Sequence, residues 1–333
     1  MLAAVWAPPR GVAARYRPDL SATRGWYEEN WLPDRILQSR EQWRGEACAC
    51  THPRGRAATG DSTPRDLLIG ALVGVGVGLV PFVRSLNAAG CRATKVLVVD
   101  DDNLYDGTVG REEVCGSNIS FVSVGNWMPV RPRSPGMFLI PVAEFLARHA
   151  AEFDRVVVTD VSDVVFQGDP FQSDFDWDAV GFVLEHEHIS ENPTNVAWVN
   201  DLPMWFARRD FEMAQPNSGT ISGRGESIRR LMELFLYSVF PLKRGAVHDQ
   251  AYFIWMEMNS LVEGMGFRLS VGSRNHIGMF VQPEESGSGL FPEVVNPRDG
   301  TQPMIYHKYN RRRGDRASVM RYCNITERDL RGM

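Results

Sequence analysis

RVVVTDVSDVVFQGDPF, residues 155–171, decides the fold. Val156 to Val158 read as a strand that runs straight into Asp160 and Asp163. In an open α/β sheet, ligands bind beyond the carboxyl ends of strands, so polar residues just after an apolar run are the first candidates for chemistry. Two carboxylates there offer hard oxygen ligands to magnesium or manganese. Side chains alternate along a strand, so Asp160 and Asp163 share an ion only if the chain turns between them; Val164-Val165-Phe166 could instead prolong the strand. The alternative role for both acids is a loop cap that bonds backbone amides.

Outward from this stretch, strands and helices alternate. LLIGALVG from Leu67 is a continuous apolar run suited to a strand buried on both faces, followed by a glycine-rich turn at Gly74 to Gly78. Leu79, Phe82, Val83 and Leu86 then carry helical spacing, closed by Gly90. KVLVVDDD and ISFVSVG predict further strands, and FLIPVAEFLARHAAEF a helix with Pro141 in its first turn or at a kink. AVGFVLEHEH predicts a strand, Ile189 to Ala207 an irregular segment. Ile228, Leu231, Met232, Phe235 and Val239 mark a helix after NSGTISG, another begins near Asp249, and FRLSVG is strand-like. This alternation predicts an α/β fold with a mainly parallel central sheet. Residues 1–62 differ: rich in Arg and Pro, with Trp6, Trp26, Trp31 and Trp43 and no strand-like run. They read as an N-terminal extension, helical around Trp26 to Trp43, with a linker from Thr51 to Pro64, ahead of one domain at 63–333.

Composition narrows the classes. With 44% hydrophobic and 23% charged residues in 333, the chain has the balance of a folded protein. A net charge of −5 argues against a nucleic-acid binder living on bulk electrostatics. Leu67 to Val83, uncharged but short and interrupted by four glycines and Pro81, is read as soluble structure, so no membrane span is expected. MLAAVWAPPRGV is too short and proline-broken for a signal-peptide core. The five cysteines include no C-x-x-C pair, which excludes a zinc ribbon, and Cys48 and Cys50 read as a loop disulfide or free thiols. Asn118-Ile119-Ser120 and Asn324-Ile325-Thr326 are glycosylation acceptors that matter only in a secretory lumen.

Other chemistry is weakly marked. The glycine turn followed by a strand ending at Asp100 could mimic an NAD- or FAD-dependent Rossmann oxidoreductase, but G-V-G-V-G-L lacks the third glycine of the dinucleotide fingerprint. His186 and His188 share a strand face without a third ligand at recognisable spacing. Trp198, Trp205 and Trp255 could stack on a sugar ring, though core packing is the preferred role. No G-x-S-x-G or cysteine nucleophile motif is present, so hydrolase readings have no support.

TDVSDVVFQGDPF resembles the acidic motif of nucleotide-sugar-dependent glycosyltransferases of the A-type (GT-A) fold, in a variant with the aspartates three apart. Other pieces fall in the expected order over roughly residues 67 to 312. LLIGALVG resembles the strand that cradles the base, VVDDD the strand whose end contacts base or ribose, NSGTISG the Asn-Ser-Gly strand, HDQAYF the Asp-Gln helix start, and IYHKYNR the segment whose histidine completes the metal shell. The resemblance implies one Rossmann-like domain and a hexosyltransferase-like activity that moves a sugar from a nucleotide diphosphate donor, a UDP-sugar, to a hydroxyl of a glycan or protein. It implies a manganese or magnesium ion held by Asp160, Asp163 and His307. Ile69, Gly70, Ala71, Asp100, Asp160, Asn217, Gly219, Lys308 and Arg311 would line the nucleotide-sugar site, with Asp249, Gln250 and Lys308 serving the transfer itself. Ser162 stands where the usual motif has its second acid, which leaves open the division of roles between the acids and a catalytically silent binding protein of the same fold. The same resemblance implies a Golgi or other secretory lumen for a eukaryotic source and the cytoplasm otherwise.

Overall fold

The computed structural model describes residues 36–38, 50, 60–73, 78–99, 119–123, 139–202, 211–239, 248–271, 278–280, 290–295, 302–311 and 313–326. The chain is α/β, built on a mixed sheet of eight strands. Its strands are β1 (Ile36–Gln38), β2 (Asp66–Leu72), β3 (Thr94–Val99), β4 (Ile119–Ser123), β5 (Arg155–Thr159), β7 (Ala179–His188), β8 (Ala214–Arg224) and β9 (Arg268–Val271), in the order β1-β4-β3-β2-β5-β8-β7-β9. A second sheet joins β10 (Gly278–Phe280), β11 (Ile305–His307) and β6 (Val164–Phe166) in that order.

The expected parallel core is present but bounded. β4, β3, β2 and β5 run parallel, whereas β8 is antiparallel to both β5 and β7, and β1 is antiparallel to β4. Apolar runs cannot disclose this, because strand direction leaves no mark on hydrophobicity. The central strands are buried on both faces, and their alternation sends side chains to two cores. Leu67, Ile69, Val96, Val98, Val156 and Val158 face one cluster, with α2 (Leu139–His149), α4 (Gly225–Val239) and α5 (Asp249–Met258). Leu68, Leu72, Leu97, Val99 and Val157 face the other, with α1 (Leu79–Ala88). Pro141 sits in the first turn of α2, where its missing N–H costs nothing.

Several expectations need correction. The extension does contain a strand: Ile36–Gln38 adds to the edge of β4, while the rest of the Trp26–Trp43 segment lies outside the described residues. Ile189 to Ala207 is not irregular throughout, since Asn192 caps α3 (Pro193–Asp201), accepting from Thr194 and Asn195 amides with Pro193 at its first position. α7 (Arg313–Tyr322), for which the sequence analysis held no expectation, follows the short α6 (Leu261–Gly264) in chain order. The cysteine reading also changes: Cys50 is bonded to Cys323. Leu67 to Val83 divides between β2 and α1, and no helix among the described residues is long and apolar enough to cross a membrane.

Topology fixes where a ligand can bind. From β2 the chain moves through β3 and β4 on one side and then returns to place β5 on the other, so the strand order reverses at β2 and β5. A crevice opens at the carboxyl ends of strands at such a reversal.

Candidate metal centre

The chain turns at that crevice. After Thr159 it leaves the large sheet through a turn at residues 160–163 and enters the second sheet as β6, which meets the condition for two acids three apart to face one point. Gly78 makes room for the turn. Its φ of 84° is a left-handed conformation, and a Cβ there would lie 1.9 Å from Ser162 O. On the far side, Ser85 Oγ accepts from Phe166 N at 3.0 Å and donates to Pro81 O, tying β6 to α1.

His307 arrives from the other end of the chain. β11 pairs antiparallel with β6, placing His307 opposite Val164, and Lys308 N donates to Asp163 O at 2.8 Å. His307 Nε2 thereby lies 3.1 Å from Asp160 Oδ2 and 3.2 Å from Asp163 Oδ1. The three ligand atoms all fall within 4.8 Å of one another. Adjacent donors bound at about 2.1 Å to one octahedral ion lie roughly 3 Å apart, so separation and donor chemistry both suit a hard or borderline divalent cation. His307 is 2% exposed. Burial opposes its charge, but Asp163 and Asp160 outweigh burial and raise its pKa to about 9. Burial likewise pushes Asp163 up, and His307, Lys308 and Arg311 more than compensate, holding it below the usual carboxylate value.

The trailing half of the acidic motif is scaffold. Gln167 Nε2 donates to Val294 O and Pro303 O, and its Oε1 accepts from Val294 N. Asp169, fully buried, accepts from the amides of Ser62 and Phe171. The Gln167 bonds hold the segment that delivers β11, and those of Asp169 tie the motif to Ser62 ahead of β2, so F-Q-x-D-P-F supports the site through the main chain.

Beside the three ligands, β8 departs from regular pairing. Phe182 pairs with Ile221 but Val183 with Asn217, leaving residues 218–220 as a bulge against β7. Bulges beside sites re-aim side chains. Here Asn217 Oδ1 accepts from Gly219 N at 2.8 Å and its Nδ2 donates to Glu185 Oε1 at 2.8 Å. Gly219 leaves no room for a side chain: a Cβ would come 2.3 Å from His307 Cε1 and 2.7 Å from Asp160 Oδ2.

A buried polar floor continues from Asn217. Gln215 Nε2 donates to Glu185, Asn195 Nδ2 donates to Gln215 Oε1 at 2.7 Å, and Gln250 Nε2 donates to Asn195 Oδ1 at 3.2 Å. Lys308 Nζ lies 3.9 Å from Glu185 Oε1. Burial pulls the Lys308 pKa down, against the opposing pull of Glu185, and its backbone holds φ at 60°. Asp249 opens α5 and is pushed up to about 6, first by burial and then by Asp160.

No protein-family model matches the chain, and comparison with curated proteins finds no relative. The site therefore stands on its own geometry. Of the residues singled out in the sequence, Asp160, Asp163, Asn217, Gly219, Asp249, Gln250, His307 and Lys308 converge at the carboxyl end of β5, the amino-terminal half of the antiparallel β8 and the adjoining termini of β11 and α5. Arg311 is exposed just beyond them. Ile69 is fully buried in the core, Gly70 packs against Val161 and Thr159 O, and Ala71 is part-exposed. Asp100 and residues 74–77 lie outside the described residues, as do Trp205 and the side chain of His186, while His188 is exposed. Trp198 and Trp255 pack against the core, Trp198 also stacking on His248 with ring centres 4.6 Å apart. Sequence reading missed Glu185, Gln215 and Asn195; an acid directly after the apolar run of VGFVLEHEH was the one available signal for Glu185.

Proposed function

We propose that this chain is a divalent-metal-dependent glycosyltransferase that moves a sugar from a nucleotide diphosphate-sugar, a UDP-sugar, to a hydroxyl of a glycan or protein. The observation that carries the reading is the convergence of Asp160, Asp163 and His307 within 4.8 Å at the carboxyl end of a central parallel strand. The acidic motif's resemblance to nucleotide-sugar transferases of the A-type fold and the order of the remaining motifs support it.

The residues divide the work by their chemistry. A manganese or magnesium ion held by Asp160, Asp163 and His307 would supply positive charge to the donor diphosphate as the glycosidic bond breaks. Lys308, next to Glu185 and the acid turn, adds a second cation for the same oxygens, and Arg311 extends it outward. Asn217, Asp249 and Gln250 form a polar wall whose amides and carboxylate suit sugar hydroxyls. Glu185 and Gln215 hold that wall in one orientation.

The test is a thermal-shift screen of nucleoside diphosphates, each with and without manganese. A rise in melting temperature for one nucleotide that requires the metal supports the reading and names the base. A metal-indifferent rise with NAD or FAD overturns it. Hydrolysis of the donor without acceptor then separates an active transferase from a silent binder.

A further inference from the structure

We propose that Asn324 is an N-glycan acceptor and that the chain folds in an oxidising secretory compartment. Two independent observations carry this, and neither depends on the transferase reading. The first is the Cys50–Cys323 bond, which joins positions 273 residues apart and immediately precedes the acceptor triplet Asn324-Ile325-Thr326. Structural disulfides persist in secretory and extracellular compartments and are rare in a reducing cytosol. The second is presentation. Asn324 and Thr326 are both exposed in the turn that ends α7, while Ile325 between them is buried and anchors the turn through Ile325 N to Met320 O at 2.8 Å. Arg84 Nη1 donates to Asn324 O at 2.6 Å and to Cys323 O at 3.0 Å, so main-chain bonds hold the turn and leave the Asn324 side chain outside.

The other triplet, Asn118-Ile119-Ser120, differs. Ser120 is paired on both sides, opposite Gln38 of β1 and Val96 of β3, in the interior of the sheet. Only the C-terminal triplet offers both of its recognised residues to solvent among the described residues.

Asn324 also has a purely structural role to weigh. Its φ of 50° is the left-handed position that ends a helix, where glycine and asparagine are preferred. That role needs no hydroxyl two residues on, whereas glycan transfer does. In the transfer, the Asn324 amide nitrogen bonds to C1 of a lipid-linked oligosaccharide. The C1–O bond to the lipid diphosphate breaks, the lipid diphosphate leaves with the electron pair, and the amide proton passes to a base of the transferring enzyme.

The experiment expresses the full chain behind a cleavable secretory leader in a eukaryotic cell and reads all lumenal protein, secreted or retained. Intact mass and peptide maps are taken before and after peptide-N-glycosidase, which leaves aspartate where a glycan was attached. Wild type is expected to lose a glycan mass and to show aspartate at 324, with Cys50 and Cys323 in one disulfide-linked peptide pair. Asn324→Gly, which keeps the helix end, and Thr326→Ala, which keeps Asn324, are each expected to lose that modification completely; Thr326→Ser is expected to retain it. An unmodified Asn324 in the lumenal wild type overturns the proposal, as does modification at 324 that persists in Thr326→Ala, or free Cys50 and Cys323 thiols in the glycosylated chain.

Discussion

His307 stands opposite Val164 in the antiparallel pairing of β11 with β6, and this register brings its Nε2 to 3.2 Å from Asp163 Oδ1. The contact is set by main-chain bonds on either side of it, including Lys308 N to Asp163 O. The second sheet thus works as a clamp that carries a ligand from the C-terminal segment to the acid turn, and substitutions at the site can be separated from those that disturb the clamp.

Asp163→Asn keeps the backbone bonds and removes one anionic ligand. Turnover of the donor at saturating manganese is expected to fall on the order of 100-fold or more. Unchanged secondary structure by circular dichroism would show that the fold is kept; equal turnover in the mutant would sink the assignment.

Gly219→Ala drives a methyl group toward His307 and Asp160. Overpacking of this kind costs about 1–3 kcal/mol, and displacement of His307 weakens metal binding as well. Manganese titration followed by thermal shift is expected to show both a lower melting temperature without metal and a weaker apparent affinity. A variant that matches wild type in both would mean that the β8 bulge has slack.

Lys308 holds a left-handed backbone that a side chain disfavours. Lys308→Gly relieves that cost and Lys308→Ala does not, so the glycine variant should be the more stable of the two by about 1 kcal/mol. Both should lose affinity for nucleoside diphosphate to a similar extent. A loss confined to the alanine variant would assign Lys308 a backbone role only.

Glu257 provides a pH-dependent stability test away from the ligands. Burial, with a smaller contribution from Glu263, raises its pKa to about 8, and its Oε2 has no hydrogen-bond partner among the described residues. The folded chain holds this proton where the unfolded chain has already released it, so stability falls as pH rises from the ordinary glutamate value of 4.5 to about 8. Glu257→Gln removes the dependence. The variant should match wild type near pH 4.5 and melt on the order of 2–5 °C higher at pH 8. A difference that does not change with pH would rule out the titration.

Removing the Cys50–Cys323 bond frees the segment before β2 from α7. Cys50→Ser with Cys323→Ser should lower stability by about 2–4 kcal/mol, read by urea denaturation of both chains under oxidising conditions. No change in the midpoint would show that the bond does not form in solution.

The buried strands were legible because their apolar runs have no other stable destination. Leu67 to Leu72 and Val96 to Val99 are strands for that reason, and the spacing of Ile228, Leu231, Met232 and Phe235 made α4 readable. β1 was not readable, because three residues at a sheet edge carry too little pattern. Nor was α7: beyond Val319, its buried residues include Asp315 and Ser318, so no apolar stripe marks it. Asp160 and Asp163 were visible as acids after a strand, whereas His307, between two tyrosines, carries no local sign of a metal role.

By itself, then, the sequence determined the α/β class, the parallel centre and the placement of two acids after a central strand, because hydrophobic burial and the period of each element are local properties of the chain. Tertiary structure alone decided the reversed direction of β8, the Cys50–Cys323 link, the delivery of His307 and the network around Glu185. Each of these joins segments distant in sequence through register, and register is settled by how whole elements pack.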